Sequence, residues 1–293
     1  MTNRTDFISS ETCRVIALPR ERQLTLSRPL VMGVLNITPD SFSDGGRFIA
    51  LSDAVAHALK MVNEGADIID IGGESTRPGA EPVAEDQEYE RVIPVIEELR
   101  RETDLPISID THKASVARAA LKAGADMVND ISSLRFDDLM ADLIASEKVP
   151  VVLMHMLGTP RHMQENPHYE NCVQDIFQFF AERIDYCIKN GIDKAQIILD
   201  PGIGFGKRLV DNLDILANLL RFKEFSLPLL VGASRKSFIG MLDANGRAAD
   251  QRIGGSIAAA VAAVLNGADI VRVHDVAQTV QALKVIQAIR ESA

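Results

Sequence analysis

Residues 36–46 form the densest run of oxygen-bearing side chains in the sequence. They supply an amide oxygen at Asn36 and carboxylates at Asp40 and Asp44, with threonine, proline and serine between them. Hard oxygen donors of this kind suit Mg2+, which usually keeps several of its waters and bridges to the phosphates of a substrate. These three residues are therefore a predicted magnesium site. A turn-rich surface loop with capping aspartates is the alternative interpretation.

A second segment, residues 70–79, combines consecutive glycines with a cation. Gly72 and Gly73 let the backbone approach a ligand closely, and Arg77 can bind an anion through two parallel hydrogen bonds. We expect this segment to act as a lid over a bound anion. Taken alone, it is also compatible with a tight turn between a strand and a helix.

Three acceptor side chains, Asp110, Asn129 and Asp200, follow short apolar runs. If they point inward, they can accept hydrogen bonds from a flat heterocycle that carries amino and ring N–H groups on one edge. A buried carboxylate is costly unless it is paired or hydrogen-bonded, so an interior aspartate carries more information than a surface one. Each of the three, taken singly, could instead cap a following helix.

Cations gather at the ends of the last two apolar runs. Arg235 and Lys236 follow one run, and Arg272 and His274 end the other. Barrels often bind an anion after strands seven and eight, and helix N-termini attract anions, so an anion site is predicted here. The glycine-rich segment 200–207 lacks the spacing of a nucleotide-binding loop.

Eight short apolar runs must position these side chains. A helix-like stretch follows each run, and polar residues stand at its C-terminal end. This alternation predicts a (β/α)8 TIM barrel, an α/β fold whose chemistry gathers at the C-terminal rim of its strands. The predicted strands span residues 30–35, 68–71, 107–109, 127–128, 149–154, 197–199, 227–231 and 270–273.

The helical stretches have recognisable beginnings and ends. Ser52 is expected to cap the first helix, and Asp211 or Asn212 to begin the sixth. Gly-Ala-Asp occurs three times, at 65–67, 124–126 and 267–269, each between a helical pattern and a strand. A short extra helix is expected from Lys236. The eight main helices are predicted at 52–64, 85–101, 113–123, 136–146, 171–189, 209–220, 250–266 and 275–291.

Length and composition limit the function classes. The 293 residues fit one barrel domain at 28–293, with residues 1–27 as a tail or hairpin beneath it. The net charge of −10 argues against nucleic-acid binding. The sequence lacks a signal pattern or an apolar stretch of membrane-spanning length, and its three cysteines lack metal or redox spacing. We expect a cytoplasmic protein with small-molecule substrates.

Together these segments resemble the dihydropteroate synthases, pterin-binding barrel enzymes of folate biosynthesis. The resemblance covers about residues 29–291 and leaves the role of residues 1–27 open. Five segments in order at barrel spacing are far more specific than any one alone. They are residues 33–46, 72–79, 200–202, 234–236 and 272–274.

The resemblance implies a transferase reaction. The family joins 6-hydroxymethyl-7,8-dihydropterin diphosphate to 4-aminobenzoate and releases pyrophosphate. It implies Mg2+ as cofactor, a homodimer, and competition by sulfonamides at the aminobenzoate site. The implied catalytic residues are Asp110, Lys236 and Arg272.

The same resemblance assigns the substrates to residues of this chain. Mg2+ is implied at Asn36, Asp40 and Asp44. The pterin is implied at Asp110, Asn129, Asp200, Lys236 and Arg272, and the diphosphate at Asn36, Thr76, Arg77, Arg272 and His274. The aminobenzoate is implied at Thr76, Arg77, Pro78, Phe205 and Ser237.

Two other function classes are considered. A pterin-binding methyltransferase domain shares the barrel and the pterin contacts, but it needs neither the Thr76–Gly79 lid nor a Mg2+-diphosphate site. A catalytically inactive barrel has no need for Asn36, Arg77, Lys236 and Arg272 together. Release of pyrophosphate that requires both substrates distinguishes the synthase from both.

Overall fold

The computed structural model describes residues 14–37, 46–75, 79–243, 246 and 248–292, with only the backbone described at 46–50. A hairpin, β1 (Arg14–Ala17) and β2 (Gln23–Leu26), precedes eight further strands. These are β3 (Leu30–Asn36), β4 (Ile68–Gly72), β5 (Ile107–Asp110), β6 (Met127–Asp130), β7 (Val151–Met154), β8 (Ile197–Asp200), β9 (Leu230–Val231) and β10 (Ile270–Val273).

Helices follow the barrel strands in turn. They are α1 (Gly46–Asn63), α2 (Glu85–Glu102), α3 (Ala114–Ala123), α4 (Leu139–Glu147), α5 (Cys172–Lys189), α6 (Leu209–Ala217), α7 (Ser237–Met241), α8 (Ile253–Leu265) and α9 (Val276–Glu291). Short 3-10 turns at Lys194–Gln196, Leu219–Phe225 and Ala249–Gln251 complete the pattern.

The eight strands β3 to β10 form a parallel sheet that returns on itself. Their spatial order is β8-β7-β6-β5-β4-β3-β10-β9. Leu229, next to β9, pairs in parallel with Leu199 of β8, which brings the two ends of the sheet together. The predicted TIM barrel is therefore confirmed. All eight strands lie where apolar runs predicted them, although β9 is shorter than the run at 227–231.

The N-terminal hairpin covers the floor of the barrel. Ile16, Leu18 and Leu24 are buried in one apolar cluster with inward-facing residues from the lower parts of the strands. The barrel residues of this cluster are Leu30, Met32, Ile68, Met127, Val152, Ile198, Leu230 and Ile270. Since this apolar cluster closes the floor, the polar strand ends that can meet a ligand are those at the opposite end. The division of the chain near residue 28 stays a prediction.

The three Gly-Ala-Asp segments make the same connection. Gly65, Gly124 and Gly267 have φ values of +96°, +125° and +103°, which favour glycine at the end of a helix. The aspartate that follows accepts a hydrogen bond from a backbone N–H at the start of a neighbouring strand. The pairs are Asp67 with Val31 N (2.9 Å), Asp126 with Ile107 N (2.9 Å) and Asp269 with Leu229 N (2.7 Å).

One predicted helix boundary is wrong and another is confirmed. Helix α1 begins at Gly46, so Ser52 lies inside it and does not cap it. The residues before Ser52 include good helix formers, and a capping residue type alone does not stop a helix from starting earlier. Asp211 does help to begin α6, because its carboxylate accepts the Arg208 backbone N–H at 2.8 Å.

Within the described ranges, none of the helices combines the length and apolar character needed to cross a bilayer.

Candidate active site

The strand register brings polar residues to one level of the barrel mouth. Asn36 lies opposite Gly72, Gly72 opposite Asp110, and Asp110 opposite Asn129. A Cβ atom at Gly72 would lie 3.7 Å from both Asn36 Oδ1 and Asp110 Oδ2. The absence of a side chain at this glycine leaves space between two oxygen-bearing groups. The register therefore brings Asn36 and Asp110 to the same level of the barrel mouth.

Arg272 lies at the centre of a buried ionic network. Its Nε donates to Asp70 Oδ2 at 2.6 Å, and its Nη2 donates to Asp110 Oδ2 at 2.7 Å. Asn129 Nδ2 donates to the same Asp70 oxygen at 3.1 Å. Residues of β4 and β5 thus hold the guanidinium directly, and Asn129 on β6 supports one of the two carboxylates. Among the described residues, no group holds Arg272 Nη1 by a hydrogen bond.

The network pairs one guanidinium with two carboxylates. Burial would lower the pKa of Arg272, but Asp70 and Asp110 outweigh it and raise the pKa above its ordinary value. Burial raises the pKa of Asp110 against the opposing effect of Arg272, and the neighbouring Asp70 raises it further. Asp70 Oδ1 is buried without a hydrogen-bond partner within the described part of the chain. Two carboxylates share one cation, which leaves the pocket receptive to hydrogen-bond donors.

Asp200 faces this network from the end of β8. Its side chain is buried, and its Oδ1 accepts the Gly202 backbone N–H at 2.8 Å. Burial raises the pKa of Asp200 to about 6, against the Gly202 hydrogen bond and the positive charge of Lys236. No described residue donates to the Oδ2 oxygen. Asp200, like Asp110 and Asn129, is not the N-cap of a described helix, so the capping alternative does not hold for these three.

Lys236 and Phe205 form an adjoining wall. The Lys236 ammonium lies 4.0 Å from the centroid of the Phe205 ring, a cation–π distance. Phe205 is itself buried in a small apolar cluster with Ile131, Met154, Met156 and Met163. A flat aromatic ligand can pack on such methionine-rich surface, because thioethers adapt to ring edges and faces. Ser237, the first residue of α7, is exposed next to Lys236.

Arg235 does not join the anion site that the sequence suggested. Its backbone has a φ of +58°, in the left-handed region, and its guanidinium pairs with Asp275 through bonds of 2.6 Å and 3.1 Å. Because Lys236 lies against Phe205 while Arg235 is held by Asp275, the two cations serve different parts of the structure. The adjacency of Arg235 and Lys236 in the sequence therefore does not predict which partner each side chain binds.

His274 is held by Ser234 across the gap between the last two strand ends. Ser234 Oγ lies 3.2 Å from the His274 backbone N and 3.1 Å from its Nδ1. Burial lowers the pKa of His274 to about 4, and Arg272, Arg235 and Lys236 lower it further. This histidine is therefore neutral at physiological pH and offers one N–H donor rather than a positive charge.

Five predicted site residues lie outside the described residues: Asp40, Asp44, Thr76, Arg77 and Pro78. In the segment 70–79, the described residues Gly73 and Glu74 are held by side chains from elsewhere in the fold. Lys113 Nζ donates to both Glu74 and Glu88, and Arg91 Nη1 donates to the Gly73 carbonyl at 2.7 Å. In the described ranges, no three His, Cys, Asp or Glu side chains converge as a metal site.

Two features of the site were missed from the sequence. Asp70 was read only as the start of a loop, yet it is fully buried and binds Arg272. Its position inside an apolar run, on the same strand face as Gly72, was the available signal. Lys207 is also buried, and its Nζ lies 3.0 Å from His155 Nδ1 and from the Phe205 carbonyl. His155 is therefore held inside the structure by Lys207.

Comparison with known proteins agrees with this geometry. Residues 32–274 match the family model described as pterin binding enzyme. The dihydropteroate synthase of Escherichia coli K12 is 50% identical over 265 residues, 90% of this chain and 93% of that protein.

Solved structures show the same likeness. The Xanthomonas albilineans dihydropteroate synthase with 4-aminobenzoic acid has a TM-score of 0.89 at 49% identity, covering 95% of this chain and 99% of that one. The Yersinia pestis dihydropteroate synthase in a sulfonamide drug complex has a TM-score of 0.88 at 47% identity, covering 95% and 100%.

The barrel, its polar mouth and the family match define a pterin-binding enzyme. Within that class, the chain belongs to the dihydropteroate synthase family, as the resemblance predicted. It is a transferase that condenses 6-hydroxymethyl-7,8-dihydropterin diphosphate with 4-aminobenzoate to form 7,8-dihydropteroate in folate biosynthesis.

Proposed function

We propose that the ring of buried acceptors around Arg272 binds the pterin in this reaction. Asp110, Asn129 and Asp200 offer oxygens to the amino and ring N–H groups of the pterin, and Lys236 and Arg272 complete the pocket. The observation that carries the proposal is the buried network at the strand ends, in which Arg272 donates to Asp70 and Asp110 and Asn129 donates to the same Asp70 oxygen. A polar heterocycle compensates for burying such groups, because each of its donors meets an acceptor.

The proposed chemistry is ionisation followed by attack. The C–O bond between the pterin methylene and the diphosphate breaks, and the electron-rich dihydropterin delocalises the resulting positive charge. Arg272 offsets the charge that develops on the departing pyrophosphate, and the carboxylates of Asp110 and Asp200 favour the pterin cation. The arylamine nitrogen then forms the new C–N bond and loses a proton to solvent. An aromatic amine is already a free base at neutral pH, so no general base is required.

Isotope exchange tests the ionisation step. If the bond breaks before the amine attacks, labelled pyrophosphate should enter the pterin diphosphate in the absence of 4-aminobenzoate. Exchange at a rate comparable with turnover supports the mechanism. Turnover without any exchange in the absence of the amine, under conditions where pyrophosphate can dissociate and rebind, contradicts it and favours direct displacement.

We place the aminobenzoate beside the pterin, along Phe205 and Ser237. The support is that the Phe205 ring contacts Lys236, and that Ser237, the residue after Lys236, is exposed at the start of α7. Thr76, Arg77 and Pro78 are proposed to complete this subsite from the second segment, and Thr76 and Arg77 also to contact the diphosphate with His274. A sulfonamide imitates the arylamine in size, and we expect it to compete with aminobenzoate here.

Mg2+ is proposed at Asn36, with Asp40 and Asp44 as further ligands. The described part of this donor set fits, because Asn36 is exposed at the end of β3 and places an amide oxygen at the mouth. A site with few protein ligands also suits Mg2+, which binds substrate phosphates while retaining waters. The bound ion would supply charge neutralisation of the diphosphate.

We expect removal of Mg2+ to abolish turnover. Dialysis against a chelator followed by assay in metal-free buffer should give no product, and added Mg2+ should restore the rate. Asn36→Leu removes the oxygen without adding charge and should raise the Mg2+ concentration needed for half-maximal rate. Full activity in metal-free buffer contradicts the assignment.

The pterin-binding methyltransferase is not favoured, since the sequence matches dihydropteroate synthase over nine-tenths of the chain. The intact buried network argues against an inactive barrel. Arg272 is placed by two carboxylates that would otherwise be costly to bury.

A homodimer and a cytoplasmic location are part of the proposal. Support for the dimer comes from exposed apolar side chains on helices α6, α7 and α8, of which α6 contacts the other two; they include Val210, Leu213, Met241 and Leu265. Sedimentation of the protein measures the oligomeric state directly. Free, buried thiols at Cys172 and Cys187 are compatible with a reducing compartment.

A further inference from the structure

The contact between Ser234 and His274 goes beyond ordinary loop packing. One hydroxyl lies within hydrogen-bond distance of two nitrogen atoms of the same residue, the backbone N at 3.2 Å and the ring Nδ1 at 3.1 Å. Ser234 is buried, while His274 is partly exposed at the mouth. The serine hydroxyl is therefore less accessible to solvent than the imidazole that it contacts.

The hydrogen count of these groups determines the direction of each bond. The backbone N–H of His274 can only donate, so it takes one lone pair of Ser234 Oγ. The hydroxyl then has one proton to place, and His274 Nδ1 is its only acceptor among the described residues. If Nδ1 carried a proton instead, the buried hydroxyl proton would have no partner there, which is unfavourable.

We infer that Ser234 is a positioning residue that fixes His274 as the tautomer with its proton on Nε2. The Nε2–H lies on the opposite edge of the ring from Ser234, and no described residue accepts it. His274 thus presents a neutral N–H donor at the mouth. This inference rests on the proposed function in one respect, since the acceptor we assign to this donor is a diphosphate oxygen.

An ion pair also joins the turn that contains Ser234 to the turn that contains His274. Arg235 follows Ser234, and Asp275 follows His274, and the two side chains form a two-bond ion pair. The left-handed backbone at Arg235 costs energy in a non-glycine residue, so it persists because its surroundings hold it. Ser256 Oγ accepts the Arg235 N–H at 2.8 Å, and Arg252 donates to the Arg235 carbonyl at 2.9 Å. The hydroxyl of Ser234 is thereby held at a fixed distance from the ring.

The positive charges around His274 make the tautomer important. Arg272, Arg235 and Lys236 all disfavour a second proton on the imidazole. Since the ring stays neutral, it has a single N–H, and that proton can be on either nitrogen. On Nδ1 it would serve Ser234, and on Nε2 it is available to an anion. The serine therefore biases the ring toward the tautomer in which His274 can donate to an anion.

Nitrogen NMR tests the tautomer without depending on activity. In protein labelled with 15N-histidine at pH 7.5, we expect the His274 signals of a protonated Nε2 and an unprotonated Nδ1, assigned with His274→Gln. Ser234→Ala should shift these signals toward a mixture of tautomers. A protonated Nδ1 in the wild type, a doubly protonated ring, or an unchanged tautomer in Ser234→Ala overturns the inference.

Pyrophosphate binding tests the consequence for the site. With Mg2+ present, calorimetry should show weaker pyrophosphate binding for Ser234→Ala, by the factor by which the Nε2–H tautomer is depleted, about twofold for an equal mixture. Ser234→Thr keeps a hydroxyl and should restore the tautomer and much of the affinity. Ser133→Ala is the matched control, because it removes a buried hydroxyl that donates to the Met154 carbonyl at 2.8 Å and that, among the described contacts, touches neither His274 nor the turn at 234–236.

The outcomes separate the inference from the proposed function. If Ser234→Ala changes the tautomer but leaves pyrophosphate affinity as in Ser133→Ala, the assigned role of the Nε2–H is wrong. If the wild type itself does not bind pyrophosphate, the proposed diphosphate site fails, and the NMR result still decides the tautomer.

Discussion

Arg272→Met should lower turnover by about 10²–10³-fold, the range seen when a preorganised donor to developing negative charge is removed. The guanidinium is held by Asp70 at 2.6 Å and Asp110 at 2.7 Å, so it meets the leaving group without reorganisation. Arg272→Lys is the charge-preserving control. A lysine has no planar fork and cannot hold both carboxylates in the same way, so we expect only partial activity. Steady-state assays with both substrates measure the effect.

The same substitution should destabilise the protein. Removing Arg272 leaves two buried carboxylates without their cation, and breaking a buried pair in this way costs about 3–5 kcal/mol. Urea unfolding of Arg272→Met measures this loss. The double variant Asp70→Asn, Arg272→Met removes one orphan charge and should recover part of the stability but no activity. Recovery of activity in the double variant would show that Arg272 acts only through the fold.

Asp200→Asn should weaken pterin binding at least tenfold. A carboxylate offers only acceptors to the donor edge of the pterin, whereas an amide turns one of them into a donor that faces another donor. The loss of a charged hydrogen bond in a buried pocket costs about 1.5–3 kcal/mol. Calorimetry with a non-reacting pterin measures the change. If affinity is intact and the fold is lost, Asp200 is structural and the proposed pocket is misplaced.

The raised pKa of Asp200 gives this prediction a pH signature. The ionised carboxylate is the better acceptor, so pterin affinity of the wild type should fall as pH drops below about 6. Without ligand the sign is opposite. Because the folded-state pKa exceeds that of the unfolded chain, the wild type should lose stability as pH rises from about 4 to 6, by roughly 2–3 kcal/mol. Asp200→Asn should lack both dependences at this site.

The barrel was predictable because its strands repeat one pattern at suitable spacing. Each apolar run ends where a polar residue meets a turn, and strand register then brings Asn36, Asp110 and Asn129 to one level. Such placement follows from the fold alone. This is why polar residues widely separated in the sequence could be assigned to one mouth.

Some residues of the structure have roles that apolar periodicity does not predict. Asp70 lies within its strand rather than at the end, and its importance comes from Arg272, some two hundred residues away. Arg235 and Lys236 are adjacent in sequence, yet a left-handed backbone gives them different partners. Neither long-range pairing nor the φ of a single residue is encoded in apolar periodicity. Ser52 was misassigned for a related reason, since helix starts depend on competing local contacts.

Release of pyrophosphate tests the central claim most directly. The protein is incubated with Mg2+ and 6-hydroxymethyl-7,8-dihydropterin diphosphate, with 4-aminobenzoate, or with both, and net pyrophosphate and 7,8-dihydropteroate are measured. We predict sustained release only when both substrates are present, with one dihydropteroate formed per pyrophosphate. Sustained release without 4-aminobenzoate, or no product with both substrates and Mg2+, would contradict the assignment of this barrel mouth to the synthase reaction.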